Sequence, residues 1–170
     1  MKYGIVAFPS KKIQDLANHY RKRYDTHYSQ IPPHFTFIDS FTAEETELDT
    51  IVDKVSEIAK RFAPIDMHAT RISTFSPVTN AIYFRIEPTE QINAIHNALV
   101  DTLQHKQKHV FTPHITIGQD LSDAEHDDII GQLRMVGVDA KEAIDRIHLM
   151  YQLENGSWST YDTFRLTGEE

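Results

Sequence analysis

The sequence predicts an α+β protein with two pseudo-symmetric lobes of mostly antiparallel sheet and helices packed outside. Three observations support this prediction. A five-residue phrase occurs twice, as Pro-His-Phe-Thr-Phe at 33–37 and Pro-His-Ile-Thr-Ile at 113–117, with the histidines 80 positions apart. The same order of strand, capped helix, motif strand and second helix surrounds both phrases, and extra hairpin strands occur as well. A repeat in such matched context indicates an internal duplication.

The first half begins with a predicted buried strand at 3–8, and Ser10 begins a helix whose apolar residues follow helical spacing. The motif at 33–37 forms the next strand. Thr-Ala-Glu-Glu at 42–45 has the spacing of a capping box, in which a hydroxyl and a carboxylate satisfy free N–H groups at a helix start. We therefore expect an amphipathic helix from 44 to about 61, with one apolar stripe facing the core.

The second half repeats this order. Strands are predicted at 65–74 and 81–86, followed by a helix that begins at Thr89. After the second motif strand, Ser-Asp-Ala-Glu at 122–125 has the spacing of another capping box. The helix that follows is expected to run from about 123 to 134.

The chain ends in a predicted hairpin at 144–166. Two apolar segments, near 144–153 and 157–166, are joined by Glu-Asn-Gly-Ser. Asn-Gly between two such segments is a strong hairpin signal, because a tight hairpin turn needs residues that accept positive φ. An antiparallel pair of strands is therefore expected here.

The length of 170 residues favours one domain over 1–170. Within it we interpret 1–62 and 80–135 as the approximate duplicated units. The chain contains no cysteine, which excludes disulfides, thiolate metal sites and cysteine nucleophiles. No apolar segment is long enough to span a membrane, so we expect a cytoplasmic monomer without a membrane partner.

The formal net charge of −8 weighs against a long nucleic-acid footprint, since phosphate contacts need a basic surface. It remains compatible with a small anionic ligand in a local pocket. The most basic segment is the first helix, which contains Lys11, Lys12, Arg21, Lys22 and Arg23. We interpret these cations as a solvated helix face.

The paired histidines are the main candidates for chemistry. Side chains alternate along a strand, so His34 and Thr36 should share one face, as should His114 and Thr116, while the apolar residues between them enter a core. An imidazole exchanges protons near neutral pH, so two of them on opposite sides of a phosphorus atom can act as acid and base. The threonine hydroxyls can donate hydrogen bonds to phosphate oxygens.

His-x-Thr followed by an apolar residue, twice and about eighty residues apart, resembles the two-histidine (2H) phosphoesterases, which include the LigT-like RNA 2′,3′-cyclic phosphodiesterases. Length and motif placement look most like the compact bacterial YjcG-like branch. The resemblance implies a bilobal LigT-like fold, catalytic His34 and His114, and Thr36 and Thr116 as phosphate ligands, without a metal or other cofactor. Many LigT-like members have an arginine after the second motif, whereas this chain has Gln119.

The other histidines give weaker signals. His105 and His109 are four residues apart and would form a metal pair if they lay on one helix, but no third ligand is evident. His96 and His126 are expected at the surface or at an edge, like the four remaining histidines.

Two functions stay open at this stage. The first is a phosphodiesterase that acts on a small nucleotide or an RNA end, with His34 as acid and His114 as base by resemblance. The second is a binding module that uses the same cleft for a nucleotide or an RNA end without turnover. The sequence favours the enzyme, because a binder needs neither both imidazoles nor both hydroxyls.

Overall fold

The structure is a computed structural model and describes residues 1–107 and 109–168. Residues 108, 169 and 170 of the predicted domain lie outside the described part. The described part of the chain forms four α-helices and eight strands. They are β1 (Lys2–Ala7), α1 (Lys11–Tyr24), β2 (Phe35–Thr42), α2 (Leu48–Arg61), β3 (Ile65–Thr74), β4 (Ile82–Ile86), α3 (Glu90–Leu103), β5 (His114–Gly118), α4 (Asp123–Leu133), β6 (Gly137–Ile144), β7 (Arg146–Gln152) and β8 (Trp158–Arg165). A short 3₁₀ helix, Glu45–Glu47, precedes α2.

The strands form two four-stranded sheets, with the orders β2-β1-β7-β8 and β5-β4-β3-β6. Every pair of neighbouring strands is antiparallel, so the predicted α+β fold with two antiparallel sheets is confirmed. The predicted C-terminal hairpin is also present, as β7 paired with β8. The two motif strands, β2 and β5, each lie at an edge of their sheet and approach one another.

Each motif strand is covered by a helix from the other half of the chain. Helix α1 follows β1 of the first sheet but packs against β5 of the second, and α3 follows β4 of the second sheet but packs against β2 of the first. Two contacts illustrate how each helix packs against the sheet of the other half. The Tyr20 ring on α1 meets the Phe84 ring edge-on, and His96 Nδ1 on α3 lies 2.8 Å from the Phe37 carbonyl oxygen on β2.

Two of the four predicted helix starts have a side-chain cap. The Thr89 hydroxyl accepts a hydrogen bond from the Ile92 N–H, and Ser122 forms a complete capping box with Glu125. Ser10 is the N-cap residue of α1, but its hydroxyl donates to Glu142 Oε1 instead of capping the helix. The predicted capping box at 42–45 is wrong. Thr42 is the last residue of β2, where it pairs with Lys2, and the box is formed two residues later by Glu44 and Glu47. Strand pairing extends past the point that the capping pattern suggested.

Strand β6 was not predicted from the sequence. It pairs with β3 at the outer edge of the second sheet, and Val138 and Ile144 are buried there while Asp139 and Lys141 point to solvent. Alanine and charged residues have low β propensity, and charges at edge strands are common because they prevent further pairing. None of the helices in residues 1–107 and 109–168 combines the length and apolarity needed to cross a bilayer.

Candidate active site

The two motifs occupy equivalent places at the facing edges of the two sheets. His34 immediately precedes β2, and His114 is the first residue of β5. The apolar residues of the motifs enter the core as predicted, since Phe35 and Phe37 are each 2% exposed. Thr36 is half-buried on the other face of β2. The strand alternation therefore separates a packed apolar side from a polar side available to a ligand.

Both imidazoles are held in the same way. His34 Nδ1 lies 2.9 Å from the Pro32 carbonyl oxygen, and His114 Nδ1 lies 2.6 Å from the Thr112 carbonyl oxygen. A carbonyl accepts only, so each Nδ1 carries a proton and each neutral ring has its lone pair on Nε2. Within the described chain, neither Nε2 has a hydrogen-bond partner. Both rings therefore present a free acid–base nitrogen.

Two cavities meet at the threonines of the motifs. The first, of about 470 Å³, is lined by His34 and by polar residues of the first sheet. The second, of about 520 Å³, is lined by His114 and by apolar residues that include Phe75. Thr36 and Thr116 line both cavities, and their hydroxyls make no hydrogen bond to other described residues. Both threonines thus border the cavity of His34 as well as the cavity of His114.

Burial lowers the pKa of His34 from 6.5 to about 4. The Pro32 carbonyl opposes this effect, the positive charges of Arg21 and His114 add to it, and the Asp25 carboxylate opposes it. Burial also lowers the pKa of His114, against the bond to the Thr112 carbonyl. Burial therefore favours the neutral form of both rings in the free protein.

A buried ion pair lies beside His34. Arg21 Nε donates to Asp25 Oδ2 over 3.0 Å, and both side chains are only 2% exposed. Arg21 Nη2 also donates to the Ile31 carbonyl oxygen over 2.6 Å. Because Ile31 lies three residues before His34, this bond fixes the segment that carries the histidine.

The prediction that the basic residues of α1 form a solvated face is thus wrong for Arg21. The sequence does contain a signal for its burial. Ile13, Ala17 and Arg21 recur every four residues and are the buried residues of the helix. Asp25 follows four residues later with the opposite charge, as expected for a paired buried arginine.

Gln119 connects this ion pair to the second motif strand. Its side-chain Nε2 donates to Asp25 Oδ1 over 2.8 Å, and its backbone N–H donates to the Tyr24 carbonyl over 2.9 Å. Gly118 lies directly before it, and a Cβ there would come within 3.1 Å of Tyr24 Cβ. This close approach explains the glycine. Gln119 therefore holds the Asp25 carboxylate, where many LigT-like chains have an arginine.

Two of the weaker histidine predictions are wrong. His96 is 6% exposed and stacks on the Phe111 ring at 3.8 Å, and His126 is 3% exposed with Nε2 2.7 Å from the Thr74 hydroxyl, so neither lies at the surface. His105 does not share a helix with His109, because α3 ends at Leu103.

His105 Nε2 lies 2.5 Å from Asp39 Oδ1. Residues 1–107 and 109–168 contain no cluster of three or more His, Asp or Glu side chains that could hold a metal.

The fold and the paired motifs define a class, the two-histidine phosphoesterases. The chain belongs to the family described as the 2′-5′ RNA ligase superfamily, whose model matches residues 8–156. A protein of Geobacillus sp. (strain WCH70), named "Putative phosphoesterase", is 50% identical over 171 residues, which cover 100% of this chain and 99% of the relative.

Two solved structures share the fold. The TT0787 protein of Thermus thermophilus has a TM-score of 0.75 at 14% identity, with 100% of both chains covered. E. coli LigT in complex with 3′-AMP has a TM-score of 0.73 at 13% identity, with 98% of both chains covered. At such low identity these likenesses concern the fold alone, and they confirm that it is LigT-like.

Proposed function

We propose that the protein is a metal-independent phosphoesterase that opens a phosphodiester, a 2′,3′-cyclic phosphate of a nucleotide or RNA end. His34 and His114 are the catalytic pair in this proposal, and Thr36 and Thr116 bind the phosphate. The family and the name of the Geobacillus relative support phosphoester chemistry. The 3′-AMP complex of LigT supports a ligand that consists of a nucleoside and a phosphate.

The observation that carries the proposal is the equivalence of the two imidazoles. Each ring is fixed through Nδ1 by a carbonyl two residues earlier, and each leaves Nε2 free beside a threonine that lines both cavities. Displacement at phosphorus brings the attacking oxygen in opposite the departing one. A site with one free imidazole nitrogen on each side matches that requirement, and the hydroxyls between them can bind the non-bridging oxygens.

In the proposed reaction, one neutral imidazole removes a proton from water through Nε2, and the water oxygen attacks phosphorus. The bond from phosphorus to the 3′ oxygen breaks, and the opposite imidazolium donates its Nε2 proton to that oxygen. The product is a 2′-phosphate monoester, and the two rings have exchanged protonation states. Bulk water then restores the original states.

The acid must acquire a proton that it lacks in the free protein, because the pKa of His34 is about 4 and that of His114 is also lowered. A bound phosphate carries a negative charge, which raises the pKa of a nearby imidazole. Substrate binding therefore supplies the charge that stabilises the imidazolium. By family resemblance, we assign His34 as this acid and His114 as the base.

The second candidate is a module that binds a nucleotide or RNA end in the same cleft without turnover. The lowered histidine pKa values favour it in one respect, since two neutral rings lack the proton that a catalytic acid must donate. The two hypotheses differ in turnover alone. A panel of 2′,3′-cyclic nucleotides and 2′-5′ linked dinucleotides, assayed in excess chelator, separates them.

The matched control for this panel is the double variant His34→Ala/His114→Ala, which reveals any contribution of a contaminating enzyme. Turnover by the wild-type chain and none by the double variant is the expected result. Calorimetric binding of a panel member, with equal rates for both proteins, would instead identify the binding module.

A leaving-group comparison tests the division of labour. An ester of nitrophenol has a leaving group that needs little protonation, so replacing the acid should harm its cleavage less than it harms cyclic phosphate opening. Replacing the base should harm both substrates alike. Rescue of His114→Ala, rather than His34→Ala, by the nitrophenyl ester would reverse the assignment.

A further inference from the structure

A third cavity, of about 790 Å³, lies at the end of β2 that is remote from His34. Its walls come from the end of β2, the start of α2 and the segment after α3. Three lysines line it, namely Lys2 at the start of β1, Lys54 on α2 and Lys106 after α3. We call this space the lysine cavity.

The lysines have no acidic partner in the described chain. Among residues 1–107 and 109–168, the only lysine within 4 Å of a carboxylate oxygen is Lys11. The lysine cavity is lined by one carboxylate, Glu47, whose Oε1 accepts the Glu44 backbone N–H. Three lysines and one carboxylate thus line this space, a local excess of positive charge in a chain whose net charge is −8. Such an excess attracts an anion.

Hydroxyl groups are also part of the lining. They belong to five residues that border the same space: Ser40, Thr42, Thr46, Thr50 and Thr102. Hydroxyls and ammonium groups are the donors that proteins commonly direct at phosphate oxygens, and several donors spread over a large cavity suit more than one phosphate. The chemistry of the lysine cavity therefore fits a short run of phosphates.

The lysine cavity borders the cavity beside His34. Lys2 and Ser40 line both the lysine cavity and the cavity beside His34. Ser40 lies four residues after Thr36 on β2, which corresponds to roughly 13 Å along a strand. This distance exceeds the step between neighbouring phosphates of one nucleic-acid strand. A ligand that reaches from the threonines to the lysines is therefore longer than a mononucleotide.

We propose that the lysine cavity binds phosphates of an RNA strand whose end is processed at His34 and His114. This inference rests on the proposed function and narrows its substrate to an oligonucleotide end. The footprint is short, since only three lysines take part, and it agrees with the acidic net charge. The strand follows β2 from the threonines to Ser40.

The test compares substrates of different length. Nucleoside 2′,3′-cyclic phosphate and oligoribonucleotides of two, four and six residues with the same cyclic end are assayed for kcat/KM. The variant Lys2→Gln/Lys54→Gln/Lys106→Gln is compared with Lys11→Gln/Lys60→Gln/Lys141→Gln, which changes the net charge equally at exposed positions outside the lysine cavity. All six lysines are exposed, so neither variant removes a core contact.

The ratio of kcat/KM for the hexamer to that for the mononucleotide should exceed ten in the wild-type chain and in the control variant. It should approach one in the variant that lacks Lys2, Lys54 and Lys106. Three phosphate contacts on a single strand correspond to a slope of about −2 in log affinity against log salt. Hexamer affinity should therefore fall by about 20-fold between about 50 and 200 mM salt, and much less in the first variant. Equal ratios in both variants would overturn the proposal.

A binding arm separates this inference from the proposed function. The inactive variant His34→Ala/His114→Ala should still bind the hexamer by fluorescence anisotropy, with an affinity that the three lysine substitutions reduce. Tripolyphosphate provides the other source of adjacent phosphates. Lysine-dependent binding of tripolyphosphate without binding of the hexamer would make this a polyphosphate site and would refute the RNA strand. Absence of turnover for every substrate of the length series, with lysine-dependent binding of the hexamer retained, would refute only the proposed function.

Discussion

Replacing Asp25 with alanine should lower the free energy of unfolding by about 3–5 kcal/mol, the usual cost of removing one partner of a buried ion pair. The Arg21 and Asp25 side chains are each only 2% exposed, so Arg21 would keep a buried charge without its counter-ion. Two further donors would lose their acceptor, because Gln119 Nε2 and the His27 backbone N–H both donate to Asp25 Oδ1 over 2.8 Å. The effect should therefore lie in the upper part of this range.

The same helix provides the matched control. Lys11 and Asp15 are also an i, i+4 pair, but their side chains are 87% and 63% exposed. An exposed helical pair contributes only about 0.2–0.5 kcal/mol, so Asp15→Ala should change stability little. The double variant Arg21→Met/Asp25→Ala should recover part of the loss caused by Asp25→Ala, since it leaves no unpaired buried charge.

Urea denaturation followed by circular dichroism measures all three variants, with the midpoint and slope fitted separately. A loss below about 1 kcal/mol for Asp25→Ala, or a loss equal to that of Asp15→Ala, would refute the reasoning that this pair is buried and structural. A double variant less stable than Asp25→Ala alone would show instead that the other hydrogen bonds of Arg21 dominate.

Three further predictions concern catalysis. With the best substrate of the panel, His34→Ala and His114→Ala should each reduce turnover by about 10²–10⁴-fold. Thr36→Ala and Thr116→Ala should reduce it by less. An effect of only one histidine substitution would contradict the two-sided mechanism. Because burial lowers the pKa of both histidines, both limbs of a bell-shaped kcat/KM profile should lie below pH 6.5. The optimum of kcat should lie at higher pH, because bound phosphate raises both pKa values. A profile with a single limb would exclude paired acid–base catalysis. Activity should survive exhaustive chelation, and loss with chelator that a divalent ion restores would reject the metal-free mechanism.

The motif strands show how far sequence reasoning reaches. Alternation in Pro-His-x-Thr predicted buried Phe35 and Phe37 correctly, because the side-chain period of a strand is independent of the rest of the fold. The duplication itself stays an inference. The matching strand orders of the two sheets, with a motif strand at one edge of each, support it.

The parts that sequence reasoning missed depend on tertiary contacts. Arginine is usually solvated, and Arg21 becomes part of the site only through its ion pair with Asp25 and its hydrogen bond to the Ile31 carbonyl oxygen before His34. Gln119 likewise acquires its role from Asp25, which is 94 residues away in the chain. Strand β6 has weak local propensity and is formed by its pairing with β3. For Gln119 and β6 a distant partner determines the outcome, so a local pattern has no access to it, whereas for Arg21 the spacing to Ala17 and Asp25 was an available signal.

The exchange of helices between the two halves has a consequence for how the cleft can move. A hinge that separated the sheets would pull α3 from β2 and α1 from β5, which would break the contact of His96 with the Phe37 carbonyl and that of Gln119 with Tyr24. Opening would thus expose core residues of both halves at once. The exchanged helices therefore oppose a change in the separation of His34 and His114, so a ligand would enter the cleft without the two sheets moving apart.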